Sequence, residues 1–136
     1  MDNNAFIERT SLVNAKIVDL DLIDPMSVWK TFIMMADEPD LVVEQSDIEG
    51  FSKAWRQFFS DPRAMLYLNI GGDSSGNWII VEANELEKIW ERGYPADHEI
   101  DCAILAADKD TIVGITFEEG DRFAFFKRSL SVGEGE

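Results

Sequence analysis

The sequence predicts an α+β fold: a mostly antiparallel sheet with a C-terminal three-stranded meander, and about three helices packed on one face. The first observation behind this prediction is that the last three predicted strands follow one another with only short turns between them. The second is that most predicted strands lie after residue 63, whereas two of the predicted helices lie before it. Strands and helices segregated in this way favour α+β over an alternating α/β architecture.

The predicted meander occupies residues 102–107, 111–117 and 122–130. All three segments are predominantly apolar, and the two turns between them are rich in Asp and Glu. We therefore expect the meander to form the centre of the core and its turns to be negatively charged.

The first 43 residues hold one predicted strand and one predicted helix. Residues 2–14 give no decisive pattern, because the Asn, Ser and Thr side chains there favour turns and caps. Residues 15–23 alternate apolar and acidic side chains, which indicates a half-buried strand. An Asp-Pro pair then starts a helix over residues 25–36. Residues 41–43 follow as a short extended segment.

A second helix is predicted behind a capping box formed by Ser46 and Glu49. Apolar side chains recur at helical spacing up to Phe59, and an Asp-Pro pair ends the helix.

The next segment reads as a hairpin followed by a short third helix. Residues 64–70 and 78–81 are the predicted strands, joined by the turn-rich loop 71–77. The third helix spans residues 85–92, and Gly93 is suited to its C-terminal end.

Length and termini indicate one domain and no targeting segment. A chain of 136 residues is expected to fold as a single domain over residues 1–136, with residues 1–5 and 131–136 frayed. The N-terminus has neither the basic nor the apolar region of a secretory signal, and no apolar run reaches 18 residues. We therefore expect a cytoplasmic protein.

The strongest compositional feature is negative charge. The chain has 27 Asp and Glu against 12 Lys and Arg, a formal net charge of −15. Direct binding to nucleic acid or to anionic lipid is disfavoured, because phosphate contacts need clustered Lys and Arg. The charge favours either a basic protein partner or simple solubility.

The candidate chemical motifs favour structural explanations. The loop 71–77 joins two strands and carries no Lys or Arg, so it is expected to be a hairpin loop and not a phosphate site. His98 lies among acidic neighbours but is expected to be an exposed loop residue. The single cysteine, Cys102, lies in an apolar strand and is expected to be buried and inert. We predict no catalytic residue, no cofactor and no metal site.

The aromatic residues mostly predict core packing. Trp29, Trp55 and Trp90 lie on the apolar stripes of predicted helices. Trp78 follows the polar hairpin loop, so we expect it to be partly exposed and to belong to an interface.

The acidic segments supply the candidate partner-binding residues. Residues 37–49 hold acids and no base, and we expect residues 37–40 to be loop positions that tolerate substitution. The two meander turns lie at opposite ends of the middle strand, so at most one of them joins the 37–49 segment in one surface. With Trp78, the predicted partner-binding residues are Asp37, Glu38, Asp40, Glu44, Asp47, Glu49, Asp108, Asp110, Glu118, Glu119 and Asp121.

These observations lead to one leading expectation and two alternatives. The leading one is a small, acidic, non-enzymatic inhibitor that binds and neutralises a basic protein. A toxin immunity protein or a phage anti-defence protein of the anti-CRISPR kind would fit, including one that acts as a nucleic-acid mimic. The alternatives are an adaptor or regulatory domain that binds through a hydrophobic groove or a sheet edge, and a small ligand-binding domain. The oligomeric state is left open.

Overall fold

A seven-stranded antiparallel sheet forms the centre of the molecule in this computed structural model, which describes residues 2–20, 23–34, 38–94, 101–118 and 120–129. The strands are β1 (Lys16–Val18), β2 (Leu41–Glu44), β3 (Met65–Ile70), β4 (Trp78–Glu82), β5 (Cys102–Leu105), β6 (Thr111–Glu118) and β7 (Arg122–Ser129). The described part of the chain also holds four helices: α1 (Asn3–Thr10), α2 (Pro25–Met34), α3 (Ile48–Phe58) and α4 (Ala83–Glu91).

The strand order is β1-β4-β3-β5-β6-β7-β2, and every pair of neighbours is antiparallel. The predicted α+β class, the β5-β6-β7 meander and the β3-β4 hairpin are confirmed. The strand expected over residues 15–23 is shorter, because β1 ends at Val18. The segment expected to be extended over residues 41–43 is the edge strand β2.

One face of the sheet is covered by α1, α3 and α4, which enclose the larger core. Phe51 of α3 lies near its centre, with ring centroids 5.3 Å from Trp90, 5.2 Å from Phe123 and 5.2 Å from Phe125. The tilted or edge-on geometry of these pairs is the arrangement that aromatic rings favour. The C-terminal meander therefore contributes directly to the core, as the sequence predicts.

The prediction of about three helices on one face is corrected in two respects: α1 is an additional helix, and α2, the helix predicted over residues 25–36, lies on the opposite face. There α2 contacts β5 and β6 around a second apolar cluster that includes Val28. A Cβ atom at Gly114 would lie only 3.0 Å from the Phe32 ring, so this close approach requires glycine. On the same face the Trp29 indole donates to Asn69 Oδ1 over 2.7 Å.

Helix α1 lies where the sequence gave no decisive pattern, and it begins at Asn3. Asp2 is its N-cap and accepts a hydrogen bond of 2.7 Å from the Ala5 N–H. Asn3 is buried and holds both ends of the hairpin loop: its Oδ1 accepts from the Ile70 N–H at the end of β3, and its Nδ2 donates to the Asn77 carbonyl just before β4. The expected fraying of residues 131–136 lies outside the described residues.

The capping predictions hold in part. Asp47, and not Ser46, caps α3 by accepting from the Gly50 N–H over 2.9 Å, so the predicted capping box does not form. Helix α4 starts at Ala83, two residues earlier than expected. Gly93 takes a positive φ of 90° behind it, as its predicted C-terminal position requires.

None of the helices in the described ranges is long and apolar enough to cross a membrane.

Replacement of Phe125 by Ala tests the contribution of the meander to the core. Phe125 is fully buried and its ring stacks on Phe58 with a centroid separation of 5.5 Å. We expect Phe125→Ala to lower the free energy of unfolding by about 3–5 kcal/mol, measured by urea denaturation. A loss below about 1 kcal/mol would contradict this packing, and Val42→Ala, at a half-exposed position, is the matched control.

Candidate partner-binding surface

Within the described residues, the α2 face of the sheet is open at the end formed by β2, β7 and β6. Cross-strand pairs place Val42, Ala124 and Thr116 in one row across these strands, beyond the region that α2 contacts. An open groove of ≈ 820 Å³ lies over this end. We call it the β2 groove; its lining residues are Glu38, Pro39, Val42, Glu118, Arg122 and Ala124.

The floor of the β2 groove is apolar. Val42 is 44% exposed, and Ala124 lies beside it in the same row. These two side chains offer a partner an apolar contact within the groove.

The rim of the groove is predominantly acidic. The register places Glu44 and Glu118 on either side of Arg122 in the next row of the sheet. Glu38 lies on the rim as well. All three glutamates are exposed, and none forms an ion pair or hydrogen bond within the described residues. Their carboxylates are therefore available to a basic partner.

Only one meander turn belongs to this surface, as the strand-length argument predicts. The 118–121 turn joins it, because the Gln45 N–H donates to the Asp121 carbonyl over 2.8 Å. Asp121 is exposed and adopts a positive φ of 58° in this turn. The 108–110 turn lies at the other end of β6, where Thr111 pairs with Ser129. The predicted residues Asp108 and Asp110 therefore do not reach the β2 groove.

Asp40 has a structural role, which corrects the expectation that residues 37–40 tolerate substitution freely. Its carboxylate accepts from the Lys127 N–H over 2.7 Å and forms a 3.0 Å ion pair with Arg128. Its own N–H donates to the Phe125 carbonyl, so Asp40 and Leu41 both lie against Phe125, as in a β-bulge. Asp40 thus joins β2 to β7.

Asp47 and Glu49 both form contacts with residues of α3. Asp47 is the N-cap described above, and Glu49 lies 3.4 Å from Lys53 in an exposed ion pair one turn along the helix. Such an exposed pair contributes little to stability, so Glu49 remains accessible but is partly neutralised.

Asp108 and Asp110 close the turn between β5 and β6. The Thr111 and Asp110 N–H groups donate to the Asp108 carboxylate, and these hydrogen bonds hold its pKa below the usual range. Asp110 accepts from the Ser129 hydroxyl over 2.7 Å. Both carboxylates therefore stabilise the turn itself.

The prediction that Trp78 is partly exposed at an interface is wrong. Trp78 is fully buried, and its indole N–H donates to the Ile23 carbonyl over 2.9 Å. Because α2 and the segment before it cover this face of β4, a tryptophan next to a polar loop is still inside the core.

Chemistry at the remaining candidate residues is limited. Burial raises the pKa of the Cys102 thiol, so the thiol stays protonated, and the prediction that Cys102 is buried is confirmed. His98, Asp37 and Glu119 lie outside the described residues. Among the residues that are described, no group of three His, Cys, Asp or Glu side chains is placed to hold a metal ion.

Val42, Pro39, Ala124 and Arg122 belong to the groove but were not singled out from the sequence. The exposure of Val42 has no sequence signal, because the run Leu41-Val42-Val43 does not show which side chain points away from the core. A second open groove, of ≈ 480 Å³, lies between α3 and α4, and its charged lining residues are Glu49, Lys53, Arg56 and Glu91. Acids and bases balance there, so it offers no preference for a charged partner.

Comparisons with protein-family models, with curated proteins and with solved structures gave no match to this chain.

A pair of single substitutions separates the structural acid from the accessible one. Asp40→Ala removes an acceptor for the Lys127 N–H and for Arg128, and we expect a loss of about 1–2 kcal/mol in the free energy of unfolding. Glu38→Ala removes an exposed carboxylate, and we expect a change within about 0.5 kcal/mol. Equal effects in urea denaturation would contradict this assignment.

The Asp108 turn predicts a defined dependence of stability on pH. Because folding lowers the pKa of Asp108, its ionised form stabilises the fold above the unfolded-state value near 3.8, and this contribution disappears as pH falls through the folded-state pKa. We expect Asp108→Asn to be less stable than wild type at pH 6 and the difference to shrink below pH 3.8. Urea unfolding at a series of pH values measures it. Asp19→Asn, at an exposed position, is the control, and a difference that does not vary with pH would contradict the assignment.

Proposed function

We propose that this chain is a small non-enzymatic inhibitor that binds a basic protein target through the β2 groove and neutralises it. The observation that carries the proposal is the set of unpaired glutamates, Glu38, Glu44 and Glu118, around an exposed valine at one end of the sheet. The target would be a nuclease toxin or another nucleic-acid-binding machine, whose basic surface is complementary to these carboxylates.

The charge of the whole chain supports the same partner class. With a formal net charge of −15, the field around the molecule accelerates encounter with a basic protein and opposes encounter with nucleic acid or anionic membranes. The groove adds contact surface at a defined place, which net charge alone does not supply. A toxin immunity protein and a phage anti-defence protein both use this kind of complementarity, the latter as a mimic of nucleic-acid phosphates.

Arg122 places a positive charge among the negative charges of the surface. It lies between Glu44 and Glu118 in the same row, so the groove carries one base between two acids, and a complementary partner presents bases opposite the glutamates. Patterned charges of this kind fix the orientation of a complex and disfavour wrong partners.

A second candidate function, an adaptor domain that binds through a hydrophobic groove or sheet edge, is favoured by one observation. Val42 is exposed on the edge strand β2, at the floor of the groove. In that case the apolar contact would dominate and the carboxylates would serve solubility. The two functions differ in their response to salt, because charge-driven association slows as ionic strength rises.

The test compares two variants that each lose two negative charges. Glu38→Gln/Glu118→Gln removes carboxylates at the groove, and Glu8→Gln/Asp19→Asn removes exposed carboxylates outside it. Each protein is immobilised, exposed to host lysate at low salt and eluted with a salt gradient. We expect wild type and the second variant to retain a basic nucleic-acid-binding protein whose activity they inhibit. We expect the groove variant to lose roughly tenfold or more in affinity.

Two results would contradict the proposal. Equal retention by both double variants would show that the groove carboxylates do not contribute to binding. Retention of a target that does not respond to salt would favour the adaptor function instead.

A further inference from the structure

The outer edge of β2 exposes backbone hydrogen-bonding groups. Among the strands of the described residues, β2 is the last in the sheet order and pairs on one side only, with β7. The Gln45 N–H donates to the Asp121 carbonyl, and inter-strand bonds in an antiparallel pair recur at every second residue. Leu41 and Val43 therefore bond to β7, and the N–H and C=O groups of Val42 and Glu44 point away from it.

Most of these outward groups have no partner. The Glu44 carbonyl accepts from the Asp47 N–H over 3.0 Å, which folds the chain back at this point. Within the described residues, the Val42 N–H, the Val42 carbonyl and the Glu44 N–H form no hydrogen bond. These three groups form a short template onto which another strand can pair.

The charges around this edge select the kind of strand that can pair with it. A second copy of the chain, paired antiparallel about Val42, would place Asp40 of each copy opposite Glu44 of the other. Like charges directly opposite each other destabilise a strand pair. A strand carrying Lys or Arg is attracted to this edge, because Glu44 lies on the edge itself and Glu38 and Glu118 lie on the same face.

We propose that the basic target inserts an extended, lysine- or arginine-bearing segment that pairs with β2 as an additional strand of the sheet. This inference rests on the proposed function and specifies how the target docks. The segment would place one side chain beside Val42 and a basic side chain opposite Glu44, with its charged end over the β2 groove.

In an antiparallel sheet, the face on which a side chain lies determines which neighbouring strand the N–H and C=O groups of that residue point to. Residues at every second position of the added strand share both properties. A residue opposite Val42 has its side chain on the groove face and its N–H and C=O directed at β2. The basic residues of the segment are therefore the ones whose amides bond to β2.

This link gives a test with matched probes on the wild-type protein. The probe is an eight-residue peptide of alternating Lys and Val, blocked at both ends. Two derivatives carry N-methyl groups on the Lys amides or on the Val amides, so that they have equal charge and equal numbers of methyl groups. We expect the parent and the Val-methylated peptide to bind, and the Lys-methylated peptide to bind roughly tenfold or more weakly. Isothermal titration calorimetry measures the affinities.

Each other result overturns the inference. If the parent peptide does not bind, or if the two methylated peptides bind equally, strand pairing at this edge is wrong. If the Val-methylated peptide is the weaker one, the lysines lie on the other face and the assigned register is wrong. Amide hydrogen exchange on the parent complex adds a local readout, and unchanged protection at the Val42 and Glu44 amides would also overturn it.

Val42→Pro tests the same edge from the protein side. Proline removes the outward N–H of Val42 and leaves the bonds from Leu41 and Val43 to β7 in place. We expect this variant to unfold within a few degrees of the wild-type melting temperature and to lose binding of the parent peptide. Analytical ultracentrifugation of wild type should show a monomer. A dimer that Val42→Pro abolishes would instead make a second copy the occupant of the edge.

Retention of the lysate target by these variants separates this inference from the proposed function. If Val42→Pro still retains the lysate target while Glu38→Gln/Glu118→Gln loses it, the inhibitor binds by charge and strand pairing is wrong. If both variants retain the target in full, the proposed function itself is wrong at this surface.

Discussion

The packing of Phe32 on Gly114 determines how much of the second sheet face is covered. A side chain at residue 114 would lie 3.0 Å from the Phe32 ring, so α2 approaches β6 closely only because that residue is glycine. Helix α2 is thereby held over β5 and β6, where Val28 joins the second apolar cluster. The row through Val42 lies beyond this contact, and the β2 groove exists because no other described helix covers it.

The strands were predictable because they are apolar or alternating runs bounded by turn residues, whereas the positions of the helices on the sheet were not. These signals located β3 to β7 to within a few residues of their observed bounds. The sequence favours turns and caps around Asn3, yet Asn3 is buried, because its amide bonds to Ile70 and Asn77 at the two ends of the distant hairpin loop. The placement of α2 depends on the absence of a side chain at Gly114, and that absence has meaning only in three dimensions. The burial of Trp78 likewise depends on the position of α2, which covers its face of the sheet and which the sequence does not show.

Three aspartates and three glutamates among the predicted partner-binding acids differ in their contacts. Aspartate is short enough to bond to nearby backbone, and Asp40, Asp47 and Asp108 all accept from main-chain N–H groups. Glutamate is one methylene longer and extends past the backbone, and Glu38, Glu44 and Glu118 remain unpaired among the described residues. Counting acids along the sequence treats turn-forming aspartates and exposed glutamates as equivalent. In the structure, Glu38, Glu44 and Glu118 are the acids near the β2 groove that are unpaired among the described residues.

Edge pairing and charge depend on each other at this surface. The β-bulge at Asp40 and the turn at Glu44 leave three free backbone groups, and three hydrogen bonds contribute about 2–4 kcal/mol net. Loss of translational and rotational freedom on association costs at least about 4 kcal/mol, so this short edge cannot hold a partner by itself. Pairing can set the register of an incoming strand, but the affinity must come from the groove and from the carboxylates beside it. Glu44 also opposes pairing between two copies of the chain, because it would lie opposite Asp40 of the other copy, so an exposed edge is compatible with a chain that does not pair with itself.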